Sequence, residues 1–300
     1  MTIAASSYLG TILDRKYKLT RHIGDGGMAY VFATERLHIG DLAALKLLNP
    51  ELSRDATRRR RFQLEAYTTA SVKHPNVVII YDYDETDKNE SYIVMELLNG
   101  QTLSSELKQL KVLRLERVME IIQPVCSALG LAHQKGILHR DLKPGNIFLH
   151  HLEDGTEVVK LIDFGIGKLL NDGNMPLTQQ GFVVGTPEYL SPERYSGKDI
   201  DERSDIYSLG VLVYRMLTGR VPFTGKTAQE ILQKHLKEPP VAPRKYNQHL
   251  STEVEEVVLR ALSKDPKERP ETTAKFAYEL MAARISSGDT LQNMPILQQP

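Results

Sequence analysis

Cysteine is nearly absent. Cys126 stands alone in 300 residues, which excludes an intramolecular disulfide and fits a reducing compartment. It lies in an apolar helical pattern and is read as a buried structural thiol. Net charge is also missing, since 38 Lys and Arg offset 38 Asp and Glu. Nothing therefore asks for nucleic acid or an anionic membrane as the main partner. No apolar run approaches the roughly 20 residues of a membrane span, and the N-terminus lacks a signal-peptide core. The chain reads as soluble. It has no internal repeats, and its length is comfortable for two lobes rather than one core.

What is present concentrates between Leu138 and Gly165. Leu-His-Arg-Asp-Leu-Lys-Pro-Gly-Asn runs from Leu138 to Asn146, and Asp-Phe-Gly from Asp163 to Gly165. Pro144-Gly145 forces a turn, so Asp141, Lys143 and Asn146 belong on a loop. The apolar run Val158–Ile162 predicts a short strand that delivers the Asp163 carboxylate at its end. Asp and Asn oxygens are hard ligands suited to Mg²⁺, Lys balances phosphate charge, and one carboxylate is left to accept a proton. Alone, Asp-Phe-Gly is a common turn and His-Arg-Asp an ordinary surface cluster. Together, in this order, they point to chemistry on a polyphosphate.

These two motifs resemble the signature of the protein kinases, His-Arg-Asp-Leu-x-x-x-x-Asn followed by Asp-Phe-Gly. Lys143, two residues past Asp141, is the form seen in Ser/Thr-specific members. Gly-Asp-Gly-Gly-Met-Ala-Tyr-Val from Gly24 to Val31 is similar to the bacterial eukaryotic-like (Hanks-type) kinases, with Ala29 where a glycine usually stands. The resemblance covers about Tyr17 to Ile285. It implies an α+β, bilobal fold: a β-rich lobe with one main helix over 17–98 and a mainly helical lobe over 99–285. The small and polar side chains of 1–16 read as a loosely held lead-in, and the polar, aperiodic stretch over 286–300 as a flexible tail. The resemblance also implies ATP and Mg²⁺ as cofactors, with Mn²⁺ as a substitute, and Ser/Thr-bearing proteins as substrates. A homodimer acting in trans on its own activation segment is compatible with it. So is a cytoplasmic location, whether as a free protein or as the cytosolic part of a longer membrane-anchored one. A nucleotide-binding scaffold without catalysis is the alternative, but that class usually lacks one of Lys46, Asp141, Asn146 or Asp163, and all four are present.

Taken in order, strand patterns fall at Tyr17–Thr20, Ile23–Phe32 and Leu42–Leu48. The glycine-rich turn lets backbone N–H groups approach phosphate oxygens. By resemblance Gly24, Asp25, Gly26, Gly27, Met28 and Ala29 cover the phosphates, and Ile23 belongs to the ATP site beside them. Lys46 interrupts an apolar strand and must find a partner or reach water. The resemblance makes it the lysine that contacts the α/β-phosphates, with Glu65 as its partner on a helix from about Ala56 to Val72. Phe62, Ala66 and Thr69 share the buried face of that helix. His74-Pro75-Asn76 ends it, with His74 bonding backbone at the turn. Strands follow at Val77–Tyr81 and Ser91–Leu97, joined by a polar hairpin over Asp84–Glu90. Asn99-Gly100 marks the lobe boundary. The resemblance places adenine against the backbone of Glu96 and Leu98, with Met95 at the back and Val31, Ala44 and Phe148 around the ring.

The second half reads as helical. Val118, Ile121, Ile122, Val125, Leu129 and Ala132 define an amphipathic helix ended by Lys135-Gly136. Asp205–Leu217 is apolar nearly all round and predicts a buried central helix, with Asp205 either capping it or holding the catalytic-loop backbone. A last helix is expected over about Thr272–Ile285. By resemblance Gly185–Glu193 receives the protein substrate, Glu193 and Arg269 form a buried ion pair, Asp141 is the catalytic acceptor, Lys143 stabilises transferring charge, and Asn146 and Asp163 hold the metal. The stretch from Asp163 to Glu193 is too long for an ordinary connection and reads as a mobile, functional segment. Between Asp163 and Gly185 its only hydroxyl is Thr178. Arg140, Lys168 and Arg61 occupy positions that commonly surround an activation-segment phosphate in the family, so Thr178 is the expected phosphosite and Thr186 the second. Pairing of Arg61 with Glu65 at i, i+4 is an equal reading. For Arg58–Arg60 a solvated face is preferred.

Overall fold

The computed structural model describes residues 3–165, 186–197 and 200–286. Six antiparallel strands form the first sheet: β1 (Ile12–Leu13), β2 (Tyr17–Asp25), β3 (Ala29–Arg36), β4 (Asp41–Leu48), β5 (Ile80–Glu85) and β6 (Ser91–Glu96), in the order β1-β2-β3-β4-β6-β5. Strand alternation gives it two different faces. Leu19, Phe32, Ala43, Leu45, Leu47, Tyr92 and Val94 bury on one. Ala29, Leu48 and Ile93 pack on the other against Phe62 and Ala66. After the short helices α1 (Ile3–Ser6) and α2 (Pro50–Ser53), helix α3 (Ala56–Ser71) supplies those two residues and Thr69 as its buried face, as its spacing predicts. Asp55 caps α3 by accepting from Thr57 N and Arg58 N, so a carboxylate meets the helix N-terminus ahead of four arginines.

Two expectations for this half need correction. The segment before Tyr17 is not loosely held over its described part. Ala5 and Leu13 are buried, Tyr8 packs its ring on Phe32, and the Tyr8 hydroxyl donates to Glu90 at 2.5 Å. Its few apolar anchors are irregularly spaced, and they find partners only once the sheet exists. The strand expected over Val77–Tyr81 begins instead at Ile80. Val78 N donates to Leu161 O, and Leu161 N to Asn76 O, each at 2.8 Å. The apolar pair Val77-Val78 is thus claimed by a strand from the other half of the chain. His74 behaves as expected, its Nδ1 accepting from Asn76 N at 3.1 Å.

The second sheet comprises β7 (Gly100–Thr102), β8 (Ile147–His151) and β9 (Glu157–Leu161), and Leu161 bridges to Val77 ahead of β5. The described helices of this half are α4 (Leu103–Leu110), α5 (Leu115–Gln134), α6 (Pro192–Ser196), α7 (Arg203–Thr218), α8 (Ala228–Lys237), α9 (Thr252–Ala261) and α10 (Thr273–Ser286), of which α4 and α5 pack on this sheet. The main core collects α5, α7, α9 and α10, and α7 is buried along almost its whole length, as its all-round apolar pattern demands. Gly219, left-handed at φ 75°, ends it. Cys126 is buried in α5, and burial pushes its thiol pKa up. Among the described residues, no helix is long and apolar enough to cross a membrane.

Glu193 and Arg269 meet as expected. Their side chains are 5% and 0% exposed, with two bonds at 2.8 and 2.9 Å, and Ser204 Oγ adds a third to the carboxylate at 2.5 Å. Burial would raise the Glu193 pKa, but the hydrogen bonds and charge of Arg269 outweigh it and hold the group below its usual value. A depressed carboxylate stabilises the fold above its unfolded pKa, and that contribution is lost as pH falls through the folded value. Arg269→Met leaves Glu193 buried without its cation and is expected to cost about 3–5 kcal/mol, read by denaturant unfolding at pH 7. The deficit should shrink as pH falls through the carboxylate range and Glu193 takes up a proton, first in the variant that lacks the cation. An unchanged midpoint at pH 7 would contradict this role.

Candidate active site

Lys46 sits mid-strand on β4, opposite Val31 on β3 and Ile93 on β6, and points to the face that α3 covers. Its Nζ donates to Glu65 Oε1 at 2.6 Å and to Asp163 Oδ1 at 2.8 Å. Burial would lower the ammonium pKa, but the two carboxylates overcome that and raise it. Burial raises the Glu65 pKa; Lys46 opposes the rise and Asp163 adds to it. Glu65 is thus engaged by Lys46. Arg58 pairs with Asp55, Arg59 donates to Ser53 O, and Arg60 donates to Gln63.

The catalytic loop is built from backbone constraints. Lys143 leads into a 3₁₀ turn over Pro144–Asn146, the turn that Pro144-Gly145 predicts. Asp141 Oδ2 accepts from Lys143 Nζ at 2.9 Å, and Asn146 Nδ2 donates to Asp141 O at 2.8 Å. Ile162 N donates to Asn146 O at 3.1 Å, which fixes the loop beside the strand end that carries Asp163. Gly165 completes the arrangement. Its N–H donates to His139 O at 2.9 Å, and a Cβ there would lie 2.5 Å from Asp141 Cβ, so only glycine allows the two motifs to pack together. Phe164 is fully buried, its ring 4.9 Å from that of His139.

Asp205 corrects one reading. Helix α7 begins at Arg203, so Asp205 lies inside the first turn and does not cap it. Its carboxylate instead accepts from His139 N at 2.8 Å, Arg140 N at 3.0 Å and His133 Nε2 at 2.8 Å. Burial would raise its pKa, but these donors and the nearby imidazoles outweigh it and lower it. The bonds restrain Arg140, whose φ of 64° is unusual for a side-chain-bearing residue, and Arg194 donates to its carbonyl. His133 carries no motif of its own. Its only sequence signal is its place in the last turn of α5, on the way into the loop.

The glycine-rich turn spans residues 26–28 between β2 and β3, closed by Gly26 N donating to Ala29 O at 2.8 Å. Ile23 and Met28 flank it with exposed side chains, Gly24 and Gly27 open no contact to a built Cβ, and Asp25 accepts from His22 at 2.8 Å. Ala44 and Met95 are cross-strand neighbours on β4 and β6. Gly100 takes φ 128°, and a Cβ there would lie 2.1 Å from Leu149 O, so the chain after Leu98 passes directly over the strand of Phe148. Thr186 opens the 3₁₀ turn Pro187–Tyr189, which Ser208 holds through Tyr189 O at 2.8 Å. Thr178, Lys168 and Gly185 lie outside the described residues.

One functional-looking side chain was missed. Lys160 is buried on β9 and donates to Glu96 Oε1 at 2.7 Å. Its signal was the one that picked out Lys46, a single lysine inside an apolar strand. For a cation, Asp163 and Asn146 offer a carboxylate and an amide oxygen, since Asn146 Nδ2 is committed to Asp141. Hard oxygens in that number suit Mg²⁺, which takes one or two protein ligands and fills its shell with phosphate and water.

The protein kinase domain family matches residues 17–281. Serine/threonine-protein kinase pkn3 of Myxococcus xanthus is 39% identical over 279 residues, 92% of this chain and 51% of that protein. Serine/threonine-protein kinase PknB of Mycobacterium tuberculosis is 38% identical over 280 residues, 92% of this chain and 44% of that one. The chain thus spans about half the length of these curated relatives. The crystal structure of the Mycobacterium tuberculosis PknI kinase domain superposes with a TM-score of 0.71 at 26% identity, covering 91% of this chain and 98% of that one.

Proposed function

Because the chain belongs to the protein kinase family, we propose that it transfers the γ-phosphoryl group of ATP to serine and threonine hydroxyls of proteins, including its own activation segment. The observation that supports this most is the meeting of Lys46, Glu65 and Asp163 beside the loop carrying Asp141, Lys143 and Asn146. The division into lobes over 17–98 and 99–285 belongs to the same reading, as does a cytosolic, ATP-containing location.

Mg²⁺-bound ATP supplies the transferred group and offsets the charge that develops on it. Asp163 and Asn146 would hold the metal. Lys46, oriented by Glu65, would bind the α/β-phosphates once Asp163 turns to the cation. Asp141 would orient the substrate hydroxyl and accept its proton, with Lys143 placing positive charge beside that carboxylate. The backbone of residues 24–29 would cover the phosphates, and Glu96 and Leu98 would hold the adenine edge. Positioning and electrostatics suffice, because such a transition state needs little covalent help from the protein. The test is incubation with labelled ATP and Mg²⁺, alone and with a generic basic protein. Label on serine and threonine is expected; label on neither protein would overturn the reading.

Thr178 is proposed as the regulatory site, with two copies acting on each other in trans. A phosphate there adds roughly −1.5 to −2 charges, which Arg140 and Lys168 would receive, with Arg61 contributing from α3. Thr178→Ala is expected to lower activity on the order of tenfold or more. An unmodified Thr178 by mass spectrometry after ATP treatment, together with full activity of the alanine variant, would refute it. Loss of activity in Thr186→Ala alone would not establish regulation, because Thr186 borders the peptide-receiving turn.

A further inference from the structure

We infer that Lys160 is a positioning residue for the nucleotide: it ties the carboxylate of Glu96, the last residue of β6, to the strand leading to Asp163, and so fixes the opening of the adenine slot. The inference rests on the nucleotide reading of the cleft.

Three segments converge on one oxygen. Glu96 Oε1 accepts from Lys160 Nζ at 2.7 Å and from Ile79 N at 2.8 Å, while Glu96 N donates to Ile79 O at 2.9 Å. The two charged side chains are 9% and 15% exposed, so the pair is largely withdrawn from water and little screened. Lys160 stands opposite Phe148 on β8 and three residues before Asp163. Its ammonium therefore links the edge of the slot to its floor and to the strand ending at the metal site.

The fold does not need this ion pair to hold the neighbouring segments in register. Val78 N to Leu161 O, Leu161 N to Asn76 O and Asn76 Nδ2 to Val159 O, each 2.8 Å, already bind the approach to β5 onto β9. What the Lys160 bond adds is a tie to the residue whose main chain faces adenine in the reading above. Without it, the Glu96 carboxylate keeps only Ile79 N, its backbone stays paired with Ala43 on β4, and the edge of the slot loses its tie to the strand opposite Phe148.

Lys160→Met is expected to raise KM for ATP on the order of tenfold, with kcat changed less than about twofold and KM for the protein substrate unchanged. Lys160→Arg, which keeps the donor, should recover most of the loss. Because the single change leaves Glu96 without its cation, the neutral pair Glu96→Gln with Lys160→Met is measured beside it, with thermal unfolding of each. The pair should show the raised KM without a further increase, since both changes cut the same tie. Calorimetric titration with ADP and Mg²⁺ reads the same effect without turnover. A folded Lys160→Met protein with unchanged KM and ADP affinity overturns the inference. So does a loss of kcat and of both affinities in step with the unfolding midpoint. Failure of the wild-type protein to phosphorylate while it binds ADP would overturn the proposed reaction, and the titration would still decide the role of Lys160. Absence of ADP binding to the wild-type protein would overturn both.

Discussion

Asp141→Asn and Asp163→Asn are each expected to lower phosphoryl transfer on the order of a thousandfold or more while leaving the fold intact. The two losses should differ in kind. Asp141 Oδ2 meets Lys143 Nζ on the loop side of the cleft, where a substrate hydroxyl would arrive. Its amide variant should bind nucleotide nearly as well as the original and fail only at transfer. Asp163 lies two residues past the end of β9, with its Oδ1 on Lys46 Nζ. Its amide variant removes a formal charge from the proposed metal site and should weaken Mg²⁺-dependent nucleotide binding as well. Calorimetric titration with ADP, with and without Mg²⁺, separates the two. Turnover near the original in either variant would refute the assignment.

Lys46→Met should inactivate the protein by at least about a hundredfold, and Glu65→Gln by on the order of tenfold. The ranking follows from the geometry. Lys46 reaches two carboxylates at once, at 2.6 and 2.8 Å, and removing it leaves Glu65 and Asp163 facing each other without a cation. In the proposed reading Glu65 would act on the nucleotide only through Lys46, and the amide of its Gln variant can still accept a hydrogen bond from the ammonium. Steady-state kinetics on a generic basic protein would rank the variants. Equal losses would remove the distinction, and a nucleotide complex in which Lys46 approached neither Glu65 nor a phosphate would remove the role altogether.

The chemistry was legible in sequence because its determinants are local. Pro144-Gly145 dictates a turn whatever surrounds it, the apolar run from Val158 suffices for a strand, although that strand starts at Glu157 and ends at Leu161, one residue short of the run, and the all-round apolar surface of residues 205–217 has no solution but burial. Gly165 is subtler, since its motif was visible but the close approach to Asp141 that requires it was not. Lys46 and Lys160 show where local reading stops. Both are lone cations in apolar strands, and desolvation says each must have a partner. The partner of Lys46 could be chosen because a family pattern named Glu65. The partner of Lys160 is 64 residues away in sequence, and no pattern pointed to it.

The same limit explains the corrections. Asp205 has the residue type of a helix cap, but three donors from the preceding helix and the catalytic loop compete for its carboxylate, and they win because they are buried with it. Val77-Val78 has the composition of a strand start, yet its backbone bonds to Leu161. Residues 5–13 look unstructured until the sheet offers Phe32 and Glu90 as partners. The amino-acid sequence by itself determined the elements, the turn chemistry and the residue types of the cleft, because short-range sterics and hydrophobic periodicity act within a few residues. Only the tertiary structure decided which buried charge meets which, because a carboxylate removed from water pairs with whatever donor the packing brings within about 3 Å, however distant in the chain.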